Sequence, residues 1–241
     1  MHTSDLVYQG AWRCAVQLNR WNYYGDFVVY PVFVVLLAVL ALGVPPGAEW
    51  WRYGLLFCTG VIAWTFAEYG LHRFVFHRTP RIRDLHEAHH RDPHALIGMP
   101  TLTSAPAYLI LLLFPLWWIG GLAFACSLTA GFLFGHLWYV TVHHLVHHRG
   151  ARQGSLLSTL KRRHALHHHV SPEGNFGVTS GFWDRALGTN IKPRRNPARS
   201  QASGPRRAEE RDRGGQLCRS TRAPRSPVAH RVPKPVGILD G

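Results

Sequence analysis

Histidine is the residue type in this chain most able to do chemistry, because its copies recur in short groups with the spacing of metal ligands. Fifteen of the seventeen histidines lie between His72 and His169. Thirteen of these form four groups, HRFVFH, HEAHH, HHLVHH and HALHHH, which begin at residues 72, 86, 143 and 164. Neutral imidazole binds borderline metals such as iron, zinc, copper and nickel. The pattern therefore predicts a metal centre built from histidine.

The group at 86–90 has the form H-x-x-H-H, and the group at 164–168 repeats it. Successive residues of an α-helix turn by about 100°, so positions i and i+3 share a face while i+1 points elsewhere. We therefore expect His86 and His89 to bind one ion and His90 to face another. The histidines at 164–168 should divide in the same way. Two copies of this pattern favour two ions over one.

The other two groups are consistent with a pair of ions. His143 and His147 are four residues apart, on one face of a helix. His72 and His77 are five residues apart, about 140° round a regular helix, which suits two different centres. Four scattered cysteines form no C-x-x-C pair, so the sequence gives no sign of a thiolate zinc site.

Apolar segments precede the first and the third histidine groups and would carry all four groups to one place. A helix needs about 20 apolar residues to cross a bilayer core. Four candidate segments are present, at 27–44, 55–70, 105–119 and 122–142. Gly120-Gly121 between the last two predicts a tight turn. We expect an all-α, multi-pass membrane protein with about four transmembrane helices in two hairpins and a histidine-rich helical cap.

The distribution of charge predicts the orientation. Four crossings would bring all four histidine groups to one side, which also carries Arg149, Arg152 and the run Lys161-Arg162-Arg163. The opposite loops offer only Arg52. Loops rich in Lys and Arg tend to stay on the cytoplasmic side of a membrane. We therefore expect the histidine face to be cytoplasmic, in a bacterial inner membrane or in the endoplasmic reticulum of a eukaryote.

The two ends of the chain differ from its centre. Residues 1–26 are rich in aromatic side chains and suit a segment at the membrane interface. Residues 27–190 form the membrane domain, and the basic segment 191–241 is expected to be disordered. Thirteen Lys or Arg and four Asp or Glu at 192–241 account for +9 of the net charge of +14. Basicity confined mainly to this tail is weak evidence for nucleic acid, and we expect no such partner.

A histidine centre beside apolar helices indicates the oxidation of a lipid. Breaking an unactivated C–H bond needs an oxidant, which redox-inert zinc does not supply, whereas two irons reacting with O2 do. Desaturation of a lipid is the neighbouring alternative. An alternative of another class is a membrane metal transporter or metal-binding protein, which would carry histidines and carboxylates along its crossings.

The segments EYGLHRFVFH, LHEAHH, HHLVHH, HALHHH and NFGVTSGFWDRALGT resemble the fatty acid hydroxylase / sterol desaturase superfamily over about residues 55–190. Within it the chain resembles fatty acid 2-hydroxylases, although Val140 stands where we expect those proteins to carry an acidic residue. The resemblance implies O2-dependent hydroxylation of a lipid acyl chain at a di-iron centre, which zinc can occupy in purified protein. Sterol or carotenoid hydroxylation or desaturation is the alternative within the superfamily.

The resemblance also implies which residues bind metal and how electrons arrive. The implied ligands are His72, His77, His86, His89, His90, His143, His147, His164, His167 and His168. Electrons would come from a cytochrome b5-type or ferredoxin-type donor. No haem domain of that kind precedes the membrane segments, so we expect the donor to be a separate protein.

Several polar residues near the histidine groups are candidates for supporting roles. Glu68 is expected either to fix the tautomer of a ligand imidazole or to lie solvated at the headgroup level. Asp84 precedes the second histidine group and Glu87 lies within it, and both could act in the same way. For Asn175 and Asp184, in the trailing motif, we expect packing and turn roles.

Overall fold

The computed structural model describes residues 17–43 and 50–192 of the chain. Within these ranges every regular element is a helix, as predicted. Residues 1–16 of the expected interfacial segment 1–26, and the tail beyond residue 192, lie outside the described residues. The α-helices are α1 (Arg20–Tyr24), α2 (Asp26–Gly43), α3 (Trp50–Gly70), α4 (Ile82–Arg91), α5 (Thr101–Tyr108), α6 (Phe114–His148), α7 (Leu156–His169) and α8 (Phe182–Ala186).

Two stretches of π-helix interrupt this series. Leu71–Phe76 continues α3, and Leu109–Leu113 joins α5 to α6. Three continuous helical segments in the described residues are long and apolar enough to cross a membrane, namely Arg20–Gly43, Trp50–Phe76 and Thr101–His148. The predicted third and fourth crossings therefore fall within one segment of 48 residues.

That last segment doubles back on itself at Gly121. Gly121 has φ 79° and ψ 173°, which are not helical angles. The hydroxyl of Tyr108 lies 3.2 Å from Nδ1 of His136, 28 residues later. A straight helix would separate these residues by about 42 Å, so the predicted turn at the glycine pair is present. Passage of each arm through a membrane, and the cytoplasmic orientation of the histidines, remain predictions.

Glycines bring α3 and α6 into close contact. A Cβ atom on Gly131 would collide with the carbonyl oxygen of Phe57, and one on Gly60 would collide with that of Leu128. Gly135, one turn after Gly131, packs against the side chain of Trp64. Small residues four apart let apolar helices approach closely, as in other membrane helix pairs. This contact sets the ends of α3 and α6 side by side, where two histidine groups begin.

The remaining histidines come from two short helices beside those ends. Helix α4 contacts the π-helical stretch that follows α3, and α7 contacts α6. The start of α7 is capped by Ser155, whose Oγ accepts a hydrogen bond of 3.1 Å from the backbone N–H of Ser158. The two helices thus place the H-x-x-H-H groups against the histidines of α3 and α6.

Candidate metal centre

The four histidine groups meet and divide into two clusters of five imidazoles. In each cluster the potential donor nitrogens all lie within 4.8 Å of one another. Cluster A consists of His72, His77, His86, His90 and His167. Cluster B consists of His89, His143, His147, His164 and His168. The ten histidines that converge are the ten that the resemblance implied as ligands.

Each cluster draws on a different long helix. The π-helical extension of α3 supplies only cluster A, and α6 supplies only cluster B, whereas α4 and α7 contribute to both. The clusters are adjacent, because the rings of His90 and His168 stack with their centroids 4.1 Å apart. His143 and His147 lie in the same cluster, as their spacing predicts.

The prediction that His72 and His77 serve different centres is wrong. Both belong to cluster A, and their rings stack with centroids 5.2 Å apart. The cause is the π-helix Leu71–Phe76. Hydrogen bonds in a π-helix run between residues five apart, so residues at that spacing return to nearly the same face.

The pairing predicted within the H-x-x-H-H groups is also wrong. His86 shares cluster A with His90, at 3.1 Å between their Nε2 atoms, while His89 lies in cluster B. In the group at 164–168, the first and last histidines lie in cluster B and the fourth residue lies in cluster A. Positions i+3 and i+4 are both within about 60° of position i on a helix. Spacing alone therefore does not choose between them.

The distances between donor atoms suit an ion with more than four ligands. The Nε2 atoms of His72 and His86 are 3.0 Å apart, and those of His147 and His164 are 2.8 Å apart. With metal–nitrogen bonds of about 2.1 Å, ligands at right angles lie about 3.0 Å apart and tetrahedral ligands about 3.4 Å apart. Five converging imidazoles with these separations fit five or six coordination better than a tetrahedral structural zinc site.

Burial favours the neutral form of the imidazoles, which is the form that binds metal. Desolvation lowers the pKa of His89 and His167 to about 4. It lowers the pKa of His90 to about 3, with repulsion from His167 as the next cause. Desolvation and the neighbouring His143 also hold the pKa of His164 well below its usual range. At neutral pH these side chains are uncharged donors.

Cluster B contains buried nitrogens that a metal ion would satisfy. Neither ring nitrogen of His89 or His168 has a hydrogen-bond partner in the described structure, and an ion would satisfy one nitrogen of each ring. An unsatisfied buried polar group destabilises a fold by about 1–3 kcal/mol. The donor set of cluster B thus fits an ion that ligates these imidazoles.

Cluster A receives support from the loop that follows α7. Nδ1 of His72 donates a hydrogen bond of 2.6 Å to the carbonyl of Phe176, and Nδ1 of His167 donates one of 2.8 Å to the carbonyl of Gly174. A carbonyl only accepts, so the proton lies on Nδ1 and the lone pair on Nε2. The sequence does not reveal these partners, because a backbone carbonyl leaves no residue-specific signal.

The carboxylates predicted to orient imidazoles have other partners. Glu68 is buried and accepts backbone hydrogen bonds from Val178 and Thr179, at 2.6 and 2.9 Å. It therefore holds the loop instead of lying solvated among headgroups. Asp84 and Glu87 each lie 3.5 Å from Arg83 on the surface of α4.

Together, the apolar helices and the two imidazole clusters define a helical protein with membrane-type segments and a histidine-rich candidate metal centre. The family model described as fatty acid hydroxylase matches residues 57–189. The match covers more than half of the chain and includes all ten clustered histidines. The chain belongs to the fatty acid hydroxylase family.

Individual relatives agree with this assignment. The chain is 38% identical over 155 residues to the ceramide very long chain fatty acid hydroxylase SCS7 of Saccharomyces cerevisiae, covering 57% of this chain and 38% of that protein. It is 33% identical over 169 residues to the dihydroceramide fatty acyl 2-hydroxylase FAH2 of Arabidopsis thaliana, covering 64% and 68%. The solved hydroxylase domain of full-length scs7p matches with a TM-score of 0.59 and 27% identity, covering 74% of this chain and 69% of that one.

Proposed function

We propose that this protein is an O2-dependent hydroxylase of lipid acyl chains with a di-iron centre held by clusters A and B. The observation that carries the proposal is the gathering of ten histidines into two adjacent clusters at the ends of apolar helices. The relatives named as ceramide or fatty acyl hydroxylases support a lipid substrate. The chain spans well under half of the yeast relative, at 38% of its length.

In this proposal each cluster holds one ion through its five imidazoles. Iron supplies the activation of O2 that oxidation of an unactivated C–H bond requires. The protein keeps the imidazoles neutral by burial and fixes Nε2 of His72 and His167 as donor atoms through the loop carbonyls. Exposed apolar side chains on α2, among them Val32, Val35 and Val39, suit contact with lipid.

The partners and the orientation belong to the same proposal. Electrons would arrive from a separate cytochrome b5-type or ferredoxin-type donor, and the histidine clusters would face the cytoplasm. Exposed Arg78, Arg149, Arg152 and Arg162 lie near the histidine groups in sequence, which supports that orientation through the positive-inside rule. Zinc could occupy the same imidazoles in purified protein.

Lipid mass spectrometry of cells with and without the protein tests the reaction. We expect acyl chains that gain one oxygen atom only in cells that carry the intact chain. The variant His89→Ala/His90→Ala removes one donor from each cluster and should abolish the product. His94→Ala is the matched control, because His94 is exposed near the end of α4 and belongs to neither cluster.

The other outcomes of this experiment would replace the proposal. Acyl chains that lose two hydrogen atoms instead of gaining oxygen would identify a desaturase. Unchanged lipids together with altered cellular metal content would favour a metal transporter or storage protein. Product formation by the His89→Ala/His90→Ala variant at the level of the intact chain would remove both clusters from the chemistry.

A further inference from the structure

The two clusters differ in how firmly the protein holds their imidazoles. In cluster A, the ring orientations of His72 and His167 are fixed by hydrogen bonds to the carbonyls of Phe176 and Gly174. Both imidazoles are buried. Partners of this kind set the tautomer and raise the basicity of the nitrogen that faces the metal. Two of the five imidazoles of cluster A therefore already have the tautomer and the ring orientation that metal binding requires.

The conformation of the loop that follows α7 depends on Asn175. This residue lies between Gly174 and Phe176, whose carbonyls accept the two hydrogen bonds from cluster A. Asn175 has a φ of 57°, in the left-handed region. Its Nδ2 donates a hydrogen bond of 3.2 Å to the carbonyl of Arg163, and its Oδ1 accepts one of 3.0 Å from the N–H of Ile191. These bonds keep the chain reversed at Asn175, so that the carbonyls on either side of it both reach cluster A.

Asp184 holds the same loop through hydrogen bonds to its backbone. Its side chain is fully buried and accepts hydrogen bonds of 2.9 Å from the backbone N–H groups of Phe176 and Gly177. It also forms an ion pair of 2.9 Å with Arg163. A Cβ atom on Gly177 would meet the carbonyl of Ser180 and approach the Asp184 carboxylate, so the loop packs tightly around this acid. Asp184 thus fixes the residue whose carbonyl orients His72.

Cluster B has a different environment. In the described chain, His89 and His168 have no hydrogen bond at either ring nitrogen, and His164 has none at Nδ1. In each of these three imidazoles, the ring nitrogen that would face away from an ion has no hydrogen-bond partner. No hydrogen bond therefore sets the tautomer of these rings. Binding an ion there must also select the tautomer and the ring orientation, which weakens the affinity.

We propose that the two metal sites are unequal, that the first ion binds tightly in cluster A, and that Asp184 is the positioning residue responsible. This inference rests on the proposed two-metal centre and extends it. Asp184 touches no donor nitrogen and acts through the loop. Its loss should weaken cluster A and leave cluster B nearly unchanged, an asymmetry that general destabilisation of the fold would not produce.

The test isolates each cluster and then perturbs the loop. His143→Ala/His147→Ala removes two donors of cluster B, and His77→Ala/His86→Ala removes two donors of cluster A without removing either loop contact. Each protein, stripped of metal in detergent, is titrated with Co²⁺ while its visible absorption is recorded. We expect the protein that retains cluster A to bind Co²⁺ more tightly than the protein that retains cluster B.

Asp184→Asn is then added to both proteins. Where cluster A remains, Co²⁺ affinity should fall on the order of tenfold, the lower end for loss of an outer partner of a ligand. Where cluster B remains, affinity should change less than about twofold, far below that range. Ser180→Ala is the matched control, because the Ser180 hydroxyl lies on the same loop but, among the described residues, accepts only the N–H of Phe182, at 3.3 Å.

If the Asp184→Asn protein shows no cooperative thermal transition, a second variant tests whether the loop strengthens metal binding by cluster A. Glu68→Gln perturbs the far end of the loop, at Val178 and Thr179, and should weaken only cluster A, by a smaller factor. Equal weakening of both clusters, or tighter binding by cluster B, would overturn the inference while leaving a two-metal centre intact. Failure of the unsubstituted protein to bind two Co²⁺ ions would overturn the two-metal centre itself.

Discussion

Substitution of Gly131 by alanine tests whether close contact between α3 and α6 builds the site. The added methyl group would overlap the backbone carbonyl of Phe57, which lacks the freedom of a side chain to move aside. Normal contact requires about 3.5 Å between such atoms, so the helices must separate by on the order of 1 Å. Because α3 supplies cluster A and α6 supplies cluster B, this shift also disturbs the arrangement of both clusters.

The size of the effect follows from two opposing contributions. Overpacking a tight contact destabilises by about 1–3 kcal/mol. Replacing a helical glycine by alanine stabilises by up to about 1 kcal/mol. Because the added methyl group overlaps a backbone atom, we expect the upper part of the first range. The net decrease in the free energy of unfolding is then about 1–2 kcal/mol. For a domain of this size that corresponds to a melting temperature roughly 2–8 °C lower.

Thermal denaturation in detergent, followed by tryptophan fluorescence, measures the change. The matched control is Gly54→Ala in α3, where an added Cβ atom meets nothing within 4 Å. The control should melt at the same temperature as the unsubstituted protein or slightly above it. Equal melting temperatures for Gly131→Ala and Gly54→Ala, with unchanged metal content, would refute the role assigned to this contact.

Three further predictions concern the clusters and the hairpin. His89→Ala and His90→Ala replace adjacent residues, but each should weaken the binding of a different one of two ions. Co²⁺ titration would resolve the two binding steps. Loss of the same ion from both variants would contradict the division into two clusters. In metal-free protein, the folded state keeps buried imidazoles neutral while the unfolded chain binds protons at its ordinary pKa of about 6.5. Thermal stability should therefore fall as the pH drops below about 6.5 and stay flat just above it; the opposite slope would contradict the lowered pKa values of His89 and His90. Tyr108→Phe removes the hydroxyl that lies beside His136 and should destabilise by about 1 kcal/mol in chemical or thermal denaturation; an unchanged transition would argue against that hydrogen bond across the hairpin.

The sequence predicts the helical class and the turn at Gly121 because both follow from local chemistry. Apolar runs of sufficient length form membrane-type helices, and a glycine pair between two of them permits the positive φ of the turn. The close contact at Gly131 is harder to foresee. A pair of glycines four apart is visible in the sequence, but its partner, the Phe57 carbonyl, is identified only by the packing of α3 on α6.

The membership of the candidate site is predictable, but its division between two clusters is not. Histidine spacing and family resemblance identify residues that the structure gathers. His72 and His77 fall into one cluster because the chain forms a π-helix there, which the regular 100° turn does not anticipate. The partners of His72 and His167 are backbone carbonyls, whose positions depend on a loop held by buried Asp184. Such contacts depend on tertiary structure.

The metal content of the reconstituted protein tests the central claim most directly. The purified chain would be stripped of metal and dialysed to equilibrium against saturating ferrous iron without oxygen, and the bound iron and the protein would then be measured. Because the structure gathers two clusters of five imidazoles, we predict two irons for each chain. A ratio of one or less, in protein that retains its thermal transition, would contradict the proposal that both clusters bind metal.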